Sequence, residues 1–216
     1  MVVLLIILTF IAAILIEMYI ERTKEPAEVV STASPKVFTK KNLFIPDGYK
    51  ISSQHIWINQ SGKDYKIGLD NFIIDALGQI FVKQVRQAGE KINKGDIIAT
   101  VNISGRTLHF RSPISGVINY VNPKLMNSAV KDPYYEDYLY SVAQVNEKPE
   151  MLLFGNEAVN WIKSEFRRLK EFLADTPYKP VGVTMYDGGN VVEGIVSSLD
   201  DDSLLQFEET FLKDGK

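Results

Sequence analysis

After the turn signal Pro46-Asp47-Gly48, the chain breaks into short apolar runs, with turn residues returning about every ten positions as far as Val121. That spacing leaves no room for packed helices and predicts a succession of short strands. The candidates are 55–58, 65–69, 78–82, 96–102, 107–111 and 116–121, punctuated by Gly89, Asn93-Lys94-Gly95-Asp96, Ser104-Gly105 and Ser112-Pro113-Ile114-Ser115-Gly116. Residues 72–77 are expected to make one or two helical turns between two of them. The fold class that follows is mainly β, α+β overall, built as a small antiparallel barrel or sandwich.

A second feature divides the chain. Residues 1–16 carry no charge and a single hydroxyl. As a helix, residues 1–20 span about 30 Å, the thickness of a hydrocarbon core, and form a single-pass transmembrane anchor. No positive region precedes the run, and the small-residue site Ser31 to Ala33 lies well beyond it, which favours a retained anchor over a cleaved leader. Arg22, Lys24, Lys36, Lys40 and Lys41 all follow the helix, so the positive-inside bias places the soluble part in the cytoplasm, at the cell membrane. Residues 21–50 are expected to be a linker, with the proline-containing, aperiodic run 26–41 as its tether.

Composition excludes several chemistries. Without cysteine, the chain has no disulfide, thiolate metal site or cysteine nucleophile, and His55 and His109 are too few for a three-histidine metal site. A formal charge of -3 gives no general attraction to nucleic acid. No nucleophile elbow, phosphate-binding glycine loop or metal-binding helix motif is present, so no enzymatic activity, metal or cofactor is expected.

Beyond Val145 the period changes. Val159, Ile162, Phe166, Leu169 and Leu173 recur at spacings of three and four, predicting a helix capped by Asn156 and ended by Asp175-Thr176-Pro177. Lys163, Arg167, Arg168 and Lys170 read as its solvated face. Residues 178–186 and 191–199, joined by Asp187-Gly188-Gly189-Asn190, read as a hairpin. Asp200-Asp201-Asp202 ahead of Leu204, Leu205, Glu208, Phe211 and Leu212 reads as an acidic N-terminus of a final helix, since no calcium-loop spacing follows. The expected extension, residues 148–216, is therefore helix, hairpin, helix, behind a central domain of residues 51–147.

Within that domain the order and spacing of several motifs are informative: His55-Ile56-Trp57, Ile67-Gly68-Leu69-Asp70, residues 76–82, residues 89–96, residues 112–117, Asn122 with Leu125, and Asp132-Pro133-Tyr134 ahead of Asp137-Tyr138-Leu139. On these residues the stretch 55–145 resembles the glycine cleavage system H protein family, lipoyl carriers of the barrel-sandwich hybrid type. The resemblance implies two half-barrels with quasi-twofold symmetry and a hairpin presenting one lysine for lipoate, seven residues before the serine of Ser-Pro-x-Ser-Gly. Counting back from Ser112 reaches Gly105. The local sequence, Asn102 to His109, holds no lysine, and none occurs between Lys94 and Lys124.

Lipoylation forms an amide from a primary amine, which neither Gly105 nor the always-protonated guanidinium of Arg106 supplies. The expected function is thus a non-catalytic, membrane-tethered binding or scaffold subunit of a larger protein complex. The alternative is a lipoyl carrier that uses an attachment site elsewhere. Alternation along the strand puts Thr107, His109 and Arg111 on one face, and the expected partner surface combines Gly105, Arg106, His109 and Arg111 with the tail after Met151. His55 is expected to pack within the barrel. Tyr134, Tyr135, Tyr138 and Tyr140 form either an interface or edge packing.

Overall fold

Burial alternates along residues 106–111 and 140–143, whereas 56–61 and 64–69 are buried at one end only, and each run pairs with a neighbour around one apolar interior. The computed structural model describes residues 37–126, 128–145, 152–176 and 191–213. The expected membrane helix of residues 1–20 and the first hairpin arm, 178–186, lie outside them. Among the described residues no helix is long and apolar enough to cross a membrane.

The strands are β1 (Val37–Phe38), β2 (Tyr49–Ile51), β3 (Ile56–Ser61), β4 (Asp64–Leu69), β5 (Val82–Gln84), β6 (Lys91–Ile92), β7 (Ile97–Ile103), β8 (Arg106–Arg111), β9 (Gly116–Val121), β10 (Tyr140–Ala143), β11 (Leu153–Phe154) and β12 (Val191–Val192). The helices are α1 (Asn71–Leu77), α2 (Gly155–Asp175) and α3 (Asp201–Phe207). One sheet runs β11-β2-β3-β4-β10-β9-β6, a second runs β5-β7-β8, and β1 pairs with β12. All pairings are antiparallel. The expected mainly-β class is therefore what forms.

The motif Ile67-Gly68-Leu69 has a packing cause. Gly68 is the register partner of Trp57, and a Cβ there would lie 2.5 Å from the indole ring. The ring crosses the neighbouring strand only because no side chain stands beneath it, and its Nε1 donates to Pro133 O at 3.0 Å.

Four expectations are corrected. First, the linker does not reach residue 50. Phe38 is buried, edge-on to Phe166 at 4.8 Å and Phe72 at 5.8 Å, and Leu43 is buried too. The short apolar pieces Val37-Phe38 and Leu43-Phe44-Ile45 show no sustained period, yet Phe38 packs against both α1, through Phe72, and α2, through Phe166. Second, the described parts of the extension, 152–176 and 191–213, are no separate layer: α2 and α3 contribute Ile162, Phe166, Leu169 and Phe207 to the same cluster as the barrel strands.

Third, α2 is not capped by Asn156. Leu153 pairs with Ile51, and the chain turns into the helix from Phe154, without a side-chain cap. Fourth, 78–82 and 191–199 are strands only in part. Gly78 closes α1 through its N–H to Ile74 O at 2.7 Å, so pairing starts at Val82. Gly194 adopts φ +80 and lies on Gly78, which ends β12 and starts a 3-10 turn at Ile195–Ser198.

Candidate functional site

Strands β7 and β8 pair from Ile97 with Arg111 to Ile103 with Arg106, leaving Ser104-Gly105 as a two-residue loop. Both loop residues have positive φ, +50 and +87, as the tight turn matching strand twist requires. Glycine takes that conformation without strain, and Asn102 Oδ1 accepts from Gly105 N at 3.3 Å. Nothing lies within 4 Å of where a Gly105 Cβ would stand, so the tip is open.

Along β8, Leu108 and Phe110 are buried, while Thr107 is exposed and His109 and Arg111 are half-buried. This is the alternation expected, but His109 is not a free surface group. Its backbone N–H donates to Glu208 Oε1 at 3.1 Å, and its Nδ1 lies 2.9 Å from the same oxygen. A carboxylate only accepts, so Nδ1 carries the proton. Glu208 sits on a π-helical turn, Glu208–Leu212, that continues α3. Arg111 Nη1 donates to Gly95 O at 3.0 Å. Arg106 Nε is enclosed, with no hydrogen-bond partner among the described residues. Of the four expected surface residues, Gly105 alone stands open; His109 and Arg111 are hydrogen-bonded within the chain, and Arg106 is half-buried.

His55 has the structural role expected, in a more specific form. It is wholly buried at φ +62, stacked on Phe72 at 4.6 Å, with Trp161 at 5.0 Å. Nδ1 lies 2.7 Å from Asp70 Oδ2, and Nε2 lies 3.7 Å from Glu165 Oε2. Burial alone lowers the imidazole's proton affinity, but the two carboxylates outweigh it and raise its pKa to about 9. Burial likewise opposes ionisation of Glu165, and His55 with Arg168 reverses that, holding its carboxyl below the usual range. Asp70 also caps α1 by accepting from Ile73 N at 2.9 Å.

Two carboxylates have partners that the sequence does not reveal: Glu165, and Glu208, which the pattern of the final helix includes without a role. Each falls in an apolar stripe, Glu165 between Ile162 and Leu169 and Glu208 beside Phe207 and Phe211. A carboxylate at a core position is the signal that would have found them, because a buried charge needs a partner.

The tyrosines do not form one surface. Tyr134 and Tyr140 are buried, their hydroxyls donating to Phe44 O at 2.9 Å and Ile98 O at 2.7 Å. Tyr135 is 60% exposed, and Tyr138 lies under the Lys66 ammonium at 4.4 Å. Packing describes Tyr134 and Tyr140, Tyr138 is half-buried, and Tyr135 alone of the four is exposed.

Two antiparallel sheets around one core, with a tight hairpin projecting an open tip that bears no lysine, define the class: a small antiparallel β-barrel or sandwich extended by helices. The family model for the glycine cleavage H-protein matches residues 49–165, and the chain belongs to that family, which is of the lipoyl-carrier type. It is similar to the glycine cleavage system H protein of Bifidobacterium longum (strain NCC 2705), 31% identical over 117 residues, covering 51% of this chain and 83% of that protein. The H protein of Micrococcus luteus is 29% identical over 111 residues, 48% of this chain and 84% of its own length. A crystal structure of the Mycobacterium marinum H protein is 26% identical and covers 54% of this chain and 98% of that one, with a TM-score of 0.45.

The family implies lipoate, and the residues at the tip do not fit it. Acylation needs an amine, and the turn offers hydrogen at Gly105 and a guanidinium at Arg106.

Proposed function

We propose that the chain is a non-catalytic scaffold subunit, tethered to the cytoplasmic face of the cell membrane and not lipoylated at the family position. The observation that carries the reading is the two-residue turn at Ser104-Gly105, which presents no lysine; counted back from Ser112 by the spacing that the family resemblance implies, the attachment position falls on this glycine. Family membership supports protein partners, since H proteins work with other proteins of the glycine cleavage complex. The partner surface joins the open tip at Gly105 and the exposed parts of Arg106 and Arg111 to the tail beyond Met151. The tether rests on the uncharged run 1–16 and the lysines and arginines that follow it.

Family membership also favours a second reading, a lipoyl carrier acylated on a lysine elsewhere. Intact mass separates the two. The chain isolated from cells with active lipoylation is expected at its unmodified mass, in the membrane fraction and with stoichiometric partner proteins after mild extraction. A lipoyl increment on any lysine restores the carrier, and recovery as a lone monomer removes the scaffold.

A further inference from the structure

Residues 191–213 lie outside the family match at 49–165, yet they reach the hairpin at two points. At the strand edge, one oxygen of Glu208 takes both the main-chain and ring N–H of His109. At the turn, Ser104 Oγ donates to Ser197 O at 3.4 Å. The segment is in turn fastened to the rest of the unit. Gly194 N donates to Asp75 O at 2.8 Å, Ser197 Oγ donates to Leu77 O, and Arg168 Nη2 donates to Thr210 O at 2.6 Å while its guanidinium lies over the Phe211 ring. Phe207, Phe211 and Leu212 are buried at the base of the contact.

We infer that residues 191–213 are a permanent clamp on the outer edge of the β7–β8 hairpin, which makes it a rigid docking element that an acyl-transferring enzyme cannot grasp. The unpaired edge of β8 would otherwise offer main-chain groups to an incoming chain, as open strand edges do. Here Glu208 occupies the N–H at the middle of the strand. Its side chain is only 10% exposed, so little water reaches the contact to compete for it. A π-helical turn is a rare local irregularity that tends to mark functional positions. This one places Glu208 against the strand while Phe211 and Leu212 remain seated. The burial of three large apolar residues makes the contact constitutive rather than a gate, because releasing it would expose them together. The clamp concerns access to the hairpin, so it goes beyond the proposed function, which concerns what the tip lacks.

The test supplies the missing amine. Full-chain Gly105→Lys and Gly105→Lys/Arg168→Ala/Glu208→Ala are each incubated with lipoyl adenylate and a lipoate ligase, the lysine Nζ displacing AMP to form the amide. A lysine-bearing H protein in the same tube certifies the enzyme. Hydrogen exchange over residues 106–111 reads the clamp, and exchange over β3 and β4 reads the fold. The triple variant is expected to be acylated at least about tenfold faster than the single one, the factor that each 1.4 kcal/mol of lost closure supplies. Its exchange over 106–111 should rise while β3 and β4 stay protected. Equal acylation of the two variants, whether both fast or both absent, overturns the clamp, as does exchange over 106–111 that ignores the Glu208 and Arg168 substitutions. Neither result bears on the mass of the wild-type chain, which tests the proposed function separately.

Discussion

His55→Gln is expected to cost about 3 kcal/mol of stability near pH 7, and to remove a loss of stability that the wild-type chain suffers at alkaline pH. The imidazolium is hydrogen-bonded to Asp70 at the start of α1, while its Nε2 has no hydrogen-bond partner among the described residues and lies 3.7 Å from Glu165 in the middle of α2, close enough for charge attraction. Removing one member of a buried ionic group strands the others, and such losses run to about 3–5 kcal/mol. Glutamine keeps a hydrogen-bonding group but no charge, which puts the effect at the lower end of that range. The pH dependence follows from the folded value of about 9, above the 6.5 of a free imidazole. The folded chain holds the proton more tightly than the unfolded one. The contribution is therefore whole below pH 6.5 and is lost as pH rises through about 9, in all about 3 kcal/mol at 1.36 kcal/mol per unit. Urea unfolding at about pH 6, 8 and 10 measures it. A wild-type midpoint that stays level across this range, or a His55→Gln curve that falls as steeply as the wild type's, would sink the assignment of a buried imidazolium.

The same residue marks how far sequence carried. The strand signature around His55 and Trp57 places Trp57 in β3 but not His55, which stands just before the strand at φ +62 and packs against α1 and α2, while alternation along β8 sorts Leu108 and Phe110 from His109 and Arg111 correctly. Asp200 caps the last helix as its position before an apolar stripe implies, accepting from Ser203 N at 2.9 Å. These features are local, and local patterns are written in consecutive residues. The partners of His55 and His109 are not: Glu165 and Glu208 stand 110 and 99 positions away. Nothing in the periodicity of α2 says which barrel residue its one buried carboxylate meets. The glycine at the hairpin tip was legible as a missing amine, whereas the carboxylate that holds His109 needed the path of the chain after Val191. For the same reason Phe38 was lost in a polar run, since its burial depends on two helices that sequence places far from it.

Gly78→Ala should be the most damaging of the small-residue changes at the C-terminal contact, lowering stability by about 4 kcal/mol and loosening residues 191–213 first. Two costs coincide there. Gly78 has φ +76 and ψ -145, a region that residues with a Cβ enter only under strain, at about 1–3 kcal/mol. Its Cβ would also stand 2.8 Å from Gly194 Cα. The obstacle is backbone, which cannot swing aside as a side-chain tip would, and overpacking of this kind adds about 1–3 kcal/mol. Gly194→Ala is the internal comparison. It has φ +80 in the ordinary left-handed well, and its nearest neighbour, Gly78 Cα, lies 3.4 Å from the built Cβ, so only a loss of about 1 kcal/mol is expected. In a unit of this size, about 4 kcal/mol corresponds to a drop in Tm of roughly 10 °C and about 1 kcal/mol to a few degrees. Thermal unfolding of the two variants gives the ranking, and hydrogen exchange over residues 195–212 shows where the damage begins. If the two glycines respond alike, or if the barrel strands open before the C-terminal residues do, the close crossing of Gly78 and Gly194 is not what seats that segment.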